Sequence, residues 1–435
     1  MHCGVLDLPV EVLLTIVELV RILDHGVGCG NSTGWPCDEI CPHNSLKFLS
    51  LVCSGFRPLA QREHFSHITI GRQTPTQVTA SCNLFLDLLN RQPTIAAYIR
   101  GILLIDREGP SNVQSQSWIS SNSSSVADLL LQLPNLSAFH LHTSGLVLKW
   151  NHIPQDVLTA MYTVLRLPSL TALVLSGFKD LPIDLLDHCP NLQELRLVKS
   201  YLKRPSITDD RHFHGIPRDA PSTPSAPQIR LLQIIEGAPM TNFPFGCLNP
   251  PVAYNLCNLE SFHMRSFLSD LTSVPMSEFK HLKSLDVECS SASCRYDPER
   301  YLDLSPHRFL ESLYIRVPLM SDANVQWLAA SLRSLSTPHS TLRSITVQLR
   351  AFARRFDFTD TTVFRDLSSA FAKLHAPVSV GGTQRCVLQS VVAEIVLYEN
   401  TGLDMERVRS EIAWLGCESI FSFRIVPLAE IITWK

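Results

Sequence analysis

The sequence predicts an α/β chain: a short helical module first, then an irregular solenoid with a parallel sheet on its concave face and helices on its convex face. Three observations predict this. A six-residue apolar pattern recurs from Leu136 onward, several segments between its copies carry apolar residues at helical spacing, and the first 65 residues hold two amphipathic stretches without strand-like alternation. Alternating strands and helices, in units too small to close their own cores, imply stacking.

The N-terminal helices come first. Pro9 suits a first helical turn, where its missing N–H costs nothing, and Val12, Leu13, Ile16, Leu19 and Val20 recur at steps of three and four on one face. Leu46, Leu49, Val52, Cys53 and Phe56 repeat that spacing, while Leu51, Leu59 and Phe65 widen the apolar surface beyond one stripe. Two such helices can cover each other and still offer a hydrophobic patch. Residues 24–44 between them contain four glycines and two prolines, which predicts a loop. Cys29, Cys37, Cys41 and His43 in that loop are spaced C-x7-C-x3-C-x-H rather than in close pairs, so free thiols are expected and no metal. The run Gly26 to Gly30 follows a helix rather than a strand, which is the wrong setting for a dinucleotide fingerprint.

The recurring pattern is Leu136, Phe139, Leu141; Leu170, Leu173, Leu175; Leu192, Leu195, Leu197; Leu259, Phe262, Met264; Leu282, Leu285, Val287; Leu310, Leu313, Ile315; and Leu342, Ile345, Val347. Looser copies begin at Ile99 and Ile229, and a last strand is expected over 391–397, for about nine or ten units. In each copy the last two apolar residues stand two apart, so both point from one face of a short strand into the interior, while the first packs the turn. Helical spacing marks 154–167, 182–189, 324–335 and 361–374. The seven clear copies start 22 to 67 residues apart, so the array should be uneven. Two loops are expected within it: 111–125, with eight serines in fifteen residues, and the proline-rich 203–228. In 404–435, Val408, Ile412 and Leu415 favour a capping helix. The pattern resembles leucine-rich repeats, although the usual asparagine after the core strand is missing from most copies.

Composition narrows the function classes. Against 37 basic side chains stand 40 acidic ones, and no basic block suggests a nucleic-acid tract. The 13 cysteines form no dense framework and their odd number leaves one unpaired, which favours a reducing compartment. With a poor signal-peptide start and no run of ~20 apolar residues, a soluble protein of cytoplasm or nucleus is expected, with no membrane partner. No GxSxG, HExxH, Walker-type or well-placed dinucleotide motif is present, and His212 and His214 lie in the proline-rich loop, so neither catalysis nor a cofactor is expected.

The order of residues at the N-terminus is more specific than its periodicity. Leu8-Pro9-x-Glu11-Val12-Leu13, answered by Leu46-x-x-Leu49-Ser50-Leu51-Val52-Cys53-x-x-Phe56-Arg57-x-Leu59-Ala60, resembles an F-box. The insertion at 24–44 is longer than the usual connection in that family. The resemblance implies a three-helix module over residues 5–70 that docks on a Skp-type adaptor and, through it, on cullin and RING subunits. It places adaptor contacts at Leu8, Pro9, Ile16, Leu46, Leu49, Val52 and Phe56, some of which must instead pack the module's own helices. The repeats, 95–435, would then select an unknown protein substrate for ubiquitin transfer. Side-chain alternation puts His140, Arg196, His263, Asp286, Tyr314, Arg316 and Thr346 on the exposed face of the strands, a mixed, nearly neutral surface suited to protein or peptide. A repeat scaffold that delivers nothing for ubiquitination is the alternative.

Overall fold

A computed structural model describes residues 9–26, 44–52, 55–71, 75–107, 117–144, 148–201, 227–235, 256–266, 276–289, 301–319, 322–335 and 341–351, and shorter stretches at 366–367, 369–371, 374, 378–380, 383–385, 390–398 and 421–426. The chain forms two compact units, residues 1–174 and 175–435, and both are α/β with parallel strands.

The first unit opens with three helices, α1 (Val10–Gly26), α2 (Asn44–Val52) and α3 (Phe56–His64). The Pro9 carbonyl accepts from the N–H groups of Val12 and Leu13 and so starts α1, whose first turn also carries Glu11 near its positive end. Leu13, Val17, Leu46 and Phe56 form the core of the three helices, with Ile16, Val20, Leu49 and Leu59 packed around it. Strand β1 (His67–Ile70) follows, then α4 (Pro75–Arg91), α5 (Pro93–Ala96), β2 (Gly101–Arg107), α6 (Trp118–Ser121), α7 (Ser123–Leu131), β3 (Ala138–Ser144), β4 (Leu148–Lys149) and α8 (Gln155–Leu165). Parallel pairing of β1 with β2 and of β2 with β3 therefore begins at His67, ahead of the boundary at residue 95 expected from sequence.

The serine-rich stretch corrects one expectation. Residues 111–116 lie outside the described residues, but from Trp118 the predicted loop is helical. Serines there act as helix ends rather than breakers: Ser117 Oγ accepts from the Ser120 N–H and caps α6. Buried Trp118 then fixes the helix, donating Nε1–H to the Ile105 carbonyl at 2.6 Å while its backbone N–H reaches Asp106 Oδ1 at 3.0 Å.

Strand β5 (Ala172–Ser176) spans the division, and the second unit continues with β6 (Phe178–Lys179), β7 (Glu194–Val198), β8 (Leu231–Ile235), β9 (Ser261–Ser266), β10 (Ser284–Cys289), β11 (Ser312–Leu319), helix α9 (Asp322–Ser334), β12 (Ser344–Ala351), the antiparallel pair β13 (Val378–Val380) and β14 (Thr383–Arg385), β15 (Ser390–Tyr398) and β16 (Phe421–Val426). From β7 to β12, then β15 and β16, each strand pairs in parallel with the next in chain order. The apolar pattern aligns across them: Leu195, Leu232, Phe262, Leu285, Leu313 and Ile345 form one buried row, and Leu197, Ile234, Met264, Val287, Ile315 and Val347 the other.

Two of the expected helices appear as α8 and α9, whereas 182–189 is a 3-10 segment, Ile183–His188. Further 3-10 turns, Leu256–Asn258 and Met276–Glu278, precede β9 and β10. In the C-terminal stretch, β16 adds a parallel strand that the sequence reading did not anticipate, and Val408, Ile412 and Leu415 lie outside the described residues. So do 27–43 of the predicted first loop and 203–226 of the proline-rich one.

Candidate functional site

Two surfaces can meet a partner, one in each unit. The first is apolar. With the core of α1 to α3 already filled, Phe48, Leu51 and Val52 of α2 remain 64%, 76% and 63% exposed, at positions i, i+3 and i+4 of one helix face. On α1, Val10 and Leu14 flank the buried stripe on one side and Val12 and Leu19 on the other, all exposed. The structure thus divides the predicted adaptor residues. Leu46 and Phe56 are buried inside the module, Ile16 and Leu49 are half-buried against its core, and Pro9 and Val52 are exposed; Leu8 lies outside the described residues. Phe48 and Leu51, absent from the predicted contact set, are among its most open apolar side chains, and the i+3, i+4 spacing was there to be read.

The second surface is polar and lies on the face of β7 to β15 opposite the buried rows. Register places Arg196, Gln233, His263, Asp286, Tyr314 and Thr346 in one row across six strands, all but Gln233 being predicted from sequence. His140, by contrast, belongs to the first unit, where it is buried in register with Leu103. Two residues further along the strands, on the same face, a second row runs Arg265, Glu288, Arg316, Gln348 and Glu394. Of this row only Arg316 was predicted. The period-two alternation that selected the first row selects the second as well, had it been carried two residues on.

The rows interlock around Glu288. Its side chain is only 5% exposed, and three guanidinium groups surround it: Arg316 Nη1 donates to Oε2, Arg350 Nη1 donates to Oε1 at 2.7 Å, and Arg265 Nε stands 3.4 Å from Oε1. Burial pushes this carboxyl up, but Arg350, Arg265 and Arg316 outweigh burial and hold it below the ordinary carboxylate value. Asp286 Oδ2 lies 2.7 Å from His263 Nδ1 and 3.6 Å from Arg316 Nη2. The Arg316 guanidinium also sits 4.3 Å from the centre of the Tyr314 ring, a cation–π contact. Beyond it, Gln348 Nε2 donates to Glu394 at 2.7 Å and its Oε1 accepts from Arg350 Nε at 2.9 Å. Cross-strand bonds thereby hold His263 to Asp286, Arg316 and Arg350 to Glu288, and Gln348 to Glu394, which orders these side chains before any partner arrives.

Among the described residues no group of three His, Cys, Asp or Glu is placed to hold a metal ion, and no helix is long and apolar enough to cross a membrane. Cys29, Cys37, Cys41, His43, His212 and His214 lie outside the described residues. Compared with known proteins, the chain matches no family model and no curated sequence.

Proposed function

We propose that this protein is the substrate-recognition subunit of a Skp-cullin-F-box type ubiquitin ligase, non-catalytic itself, that binds the adaptor through α1 to α3 and a protein substrate through the polar face of the second unit. The observation that carries the reading is the exposed stripe Phe48, Leu51 and Val52 on a small helical module whose own core is complete, within a sequence that follows the F-box order of residues. Apolar side chains left in water at this density on one helix favour a protein partner. The polar face supplies what a substrate surface needs: Tyr314 and Arg316, residue types that anchor many interfaces, with Arg316 bonded to Glu288 of the neighbouring strand and set against the Tyr314 ring. Catalysis would come from the recruited ubiquitin-transfer machinery, and the contribution of this chain would be the proximity of substrate lysines to it.

The test is co-purification of the full chain with a Skp-type adaptor, beside Leu51→Lys and a chain lacking residues 1–65, a cut that spares β1. The wild type should retain the adaptor. Leu51→Lys should lower affinity about 100-fold, since a buried apolar contact is replaced by a charge to be desolvated, without changing the melting temperature. A folded wild type that does not bind the adaptor overturns the proposal and leaves a repeat scaffold.

A further inference from the structure

Glu288 is a single carboxylate beneath three guanidinium groups, and the cations are the more open side of the cluster. Side-chain exposure is 35% for Arg265, 26% for Arg350 and 23% for Arg316, against 5% for the carboxylate that orients them. A ligand approaching this part of the face therefore meets guanidinium first. Each guanidinium carries five N–H donors in a planar fork, so one edge can be engaged by Glu288 while another receives an incoming acid. The Arg316 Nε–H has no hydrogen-bond partner although it is shielded from water.

We propose that Arg265, Arg316 and Arg350 receive an extended, carboxylate-bearing segment of the protein bound by this face, with two acidic side chains three residues apart. The proposal rests on the reading of the face as the substrate surface. Arg265 and Arg316 stand at the same register on β9 and β11, with β10 between them. Two strand spacings separate their backbones by about 9.6 Å, and their guanidinium groups lean onto Glu288 from its two sides, each with an outer edge turned away from it. In a polyproline-II segment, residues three apart point the same way and lie about 9.3 Å apart, so the two acids would face the two arginines. Charge selects a carboxylate over a phosphate. Asp286 and Glu394 flank the guanidinium cluster, and with Glu288 they offset Arg265, Arg316 and Arg350 one for one. That balance leaves no surplus positive charge for a dianionic phosphate, whereas the two coplanar oxygens of a carboxylate match the guanidinium fork.

The experiment titrates the full chain into three fluorescein-labelled proline-rich peptides, followed by anisotropy: one with glutamates at the first and fourth positions, one with glutamines there, and one with phosphoserines. The glutamate peptide should bind at least about ten-fold more tightly than either of the others, a difference of about 1.4 kcal/mol. Arg265→Gln, at the most open of the three cations, should remove that preference while the protein stays folded, and Lys283→Gln should leave it intact. Equal binding of glutamate and glutamine peptides, no binding of either, or tighter binding of the phosphoserine peptide overturns the proposal. Adaptor capture is measured on the same samples. Adaptor bound without the glutamate preference sinks the ligand class alone; the preference kept without adaptor sinks the ligase reading alone.

Discussion

Glu288 is a nearly buried carboxylate that three guanidinium groups surround, and its protonation state should be felt in stability. Because the arginines hold its folded pKa below the ordinary value, the unfolded chain takes up this proton at higher pH than the folded one. The stabilisation is therefore complete above the unfolded value of about 4.3 and is lost as the pH falls through the depressed folded value. Glu288→Gln keeps the shape and removes the charge, leaving three partly exposed guanidinium groups to find water. We expect it to cost about 1–3 kcal/mol at neutral pH, less than a wholly buried pair because the cations stay hydrated. Urea unfolding at a series of pH values tests this: the gap between wild type and variant should narrow in acid, and a gap constant with pH would show that the charge is not what stabilises. The sequence announced half of this cluster. Asp286, Tyr314 and Arg316 were legible from alternation, but Glu288 and Arg350 become partners only through the register of β10, β11 and β12, which joins residues 62 apart in the chain.

At the scale of elements, one device recurs regardless of loop length. Five times among the described residues of the second unit a single backbone carbonyl accepts two successive N–H groups of the next repeat: Gln193 from Arg230 and Leu231, Arg230 from Glu260 and Ser261, Glu260 from Lys283 and Ser284, Lys283 from Glu311 and Ser312, Glu311 from Arg343 and Ser344. The same contact joins Ser66 to Arg100 and Gly101, and Arg100 to Ser137 and Ala138, in the first unit. Register is thus set at the start of each strand, which explains how repeats of such unequal length align their apolar pairs. That alignment was readable from the Leu-x-x-Leu-x-Leu pattern. Strand β1 was not, because His67–Ile70 is four residues long with one buried side chain, too short for alternation to register. A glycine secures its end: Gly71 has φ +111, and a Cβ there would stand 1.9 Å from the Ile105 carbonyl of β2. Gly71→Ala meets rigid backbone as well as an unfavourable dihedral and should destabilise the first unit by more than about 2 kcal/mol. Thermal unfolding checks it, and a melting temperature equal to wild type would mean that β1 is not held against β2.

At the scale of the whole molecule, the buried thiols report how far each unit folds as one body. Repeat units stack on their neighbours, so cooperativity depends on whether each interface outweighs the instability of a single repeat. Cys82 is buried in the first unit, and Cys189 and Cys289 in the second, whereas Cys257 is exposed. Burial pushes the Cys82 thiol up to about 11, and burial with nearby Asp187 pushes Cys189 up to about 12. Neither offers a thiolate near neutrality, so alkylation must wait for opening of the surrounding structure. In native protein at about pH 8, iodoacetamide followed by peptide mass spectrometry should modify Cys257 and spare the other three. With added urea, Cys189 and Cys289 should become reactive at the same concentration, because the register from β7 through β10 is unbroken and binds the two positions into one set of neighbours. Cys82 should follow the opening of its own unit. Separate midpoints for Cys189 and Cys289 would mean that the second unit comes apart repeat by repeat, and the arginine face would then be lost before the rest of its sheet.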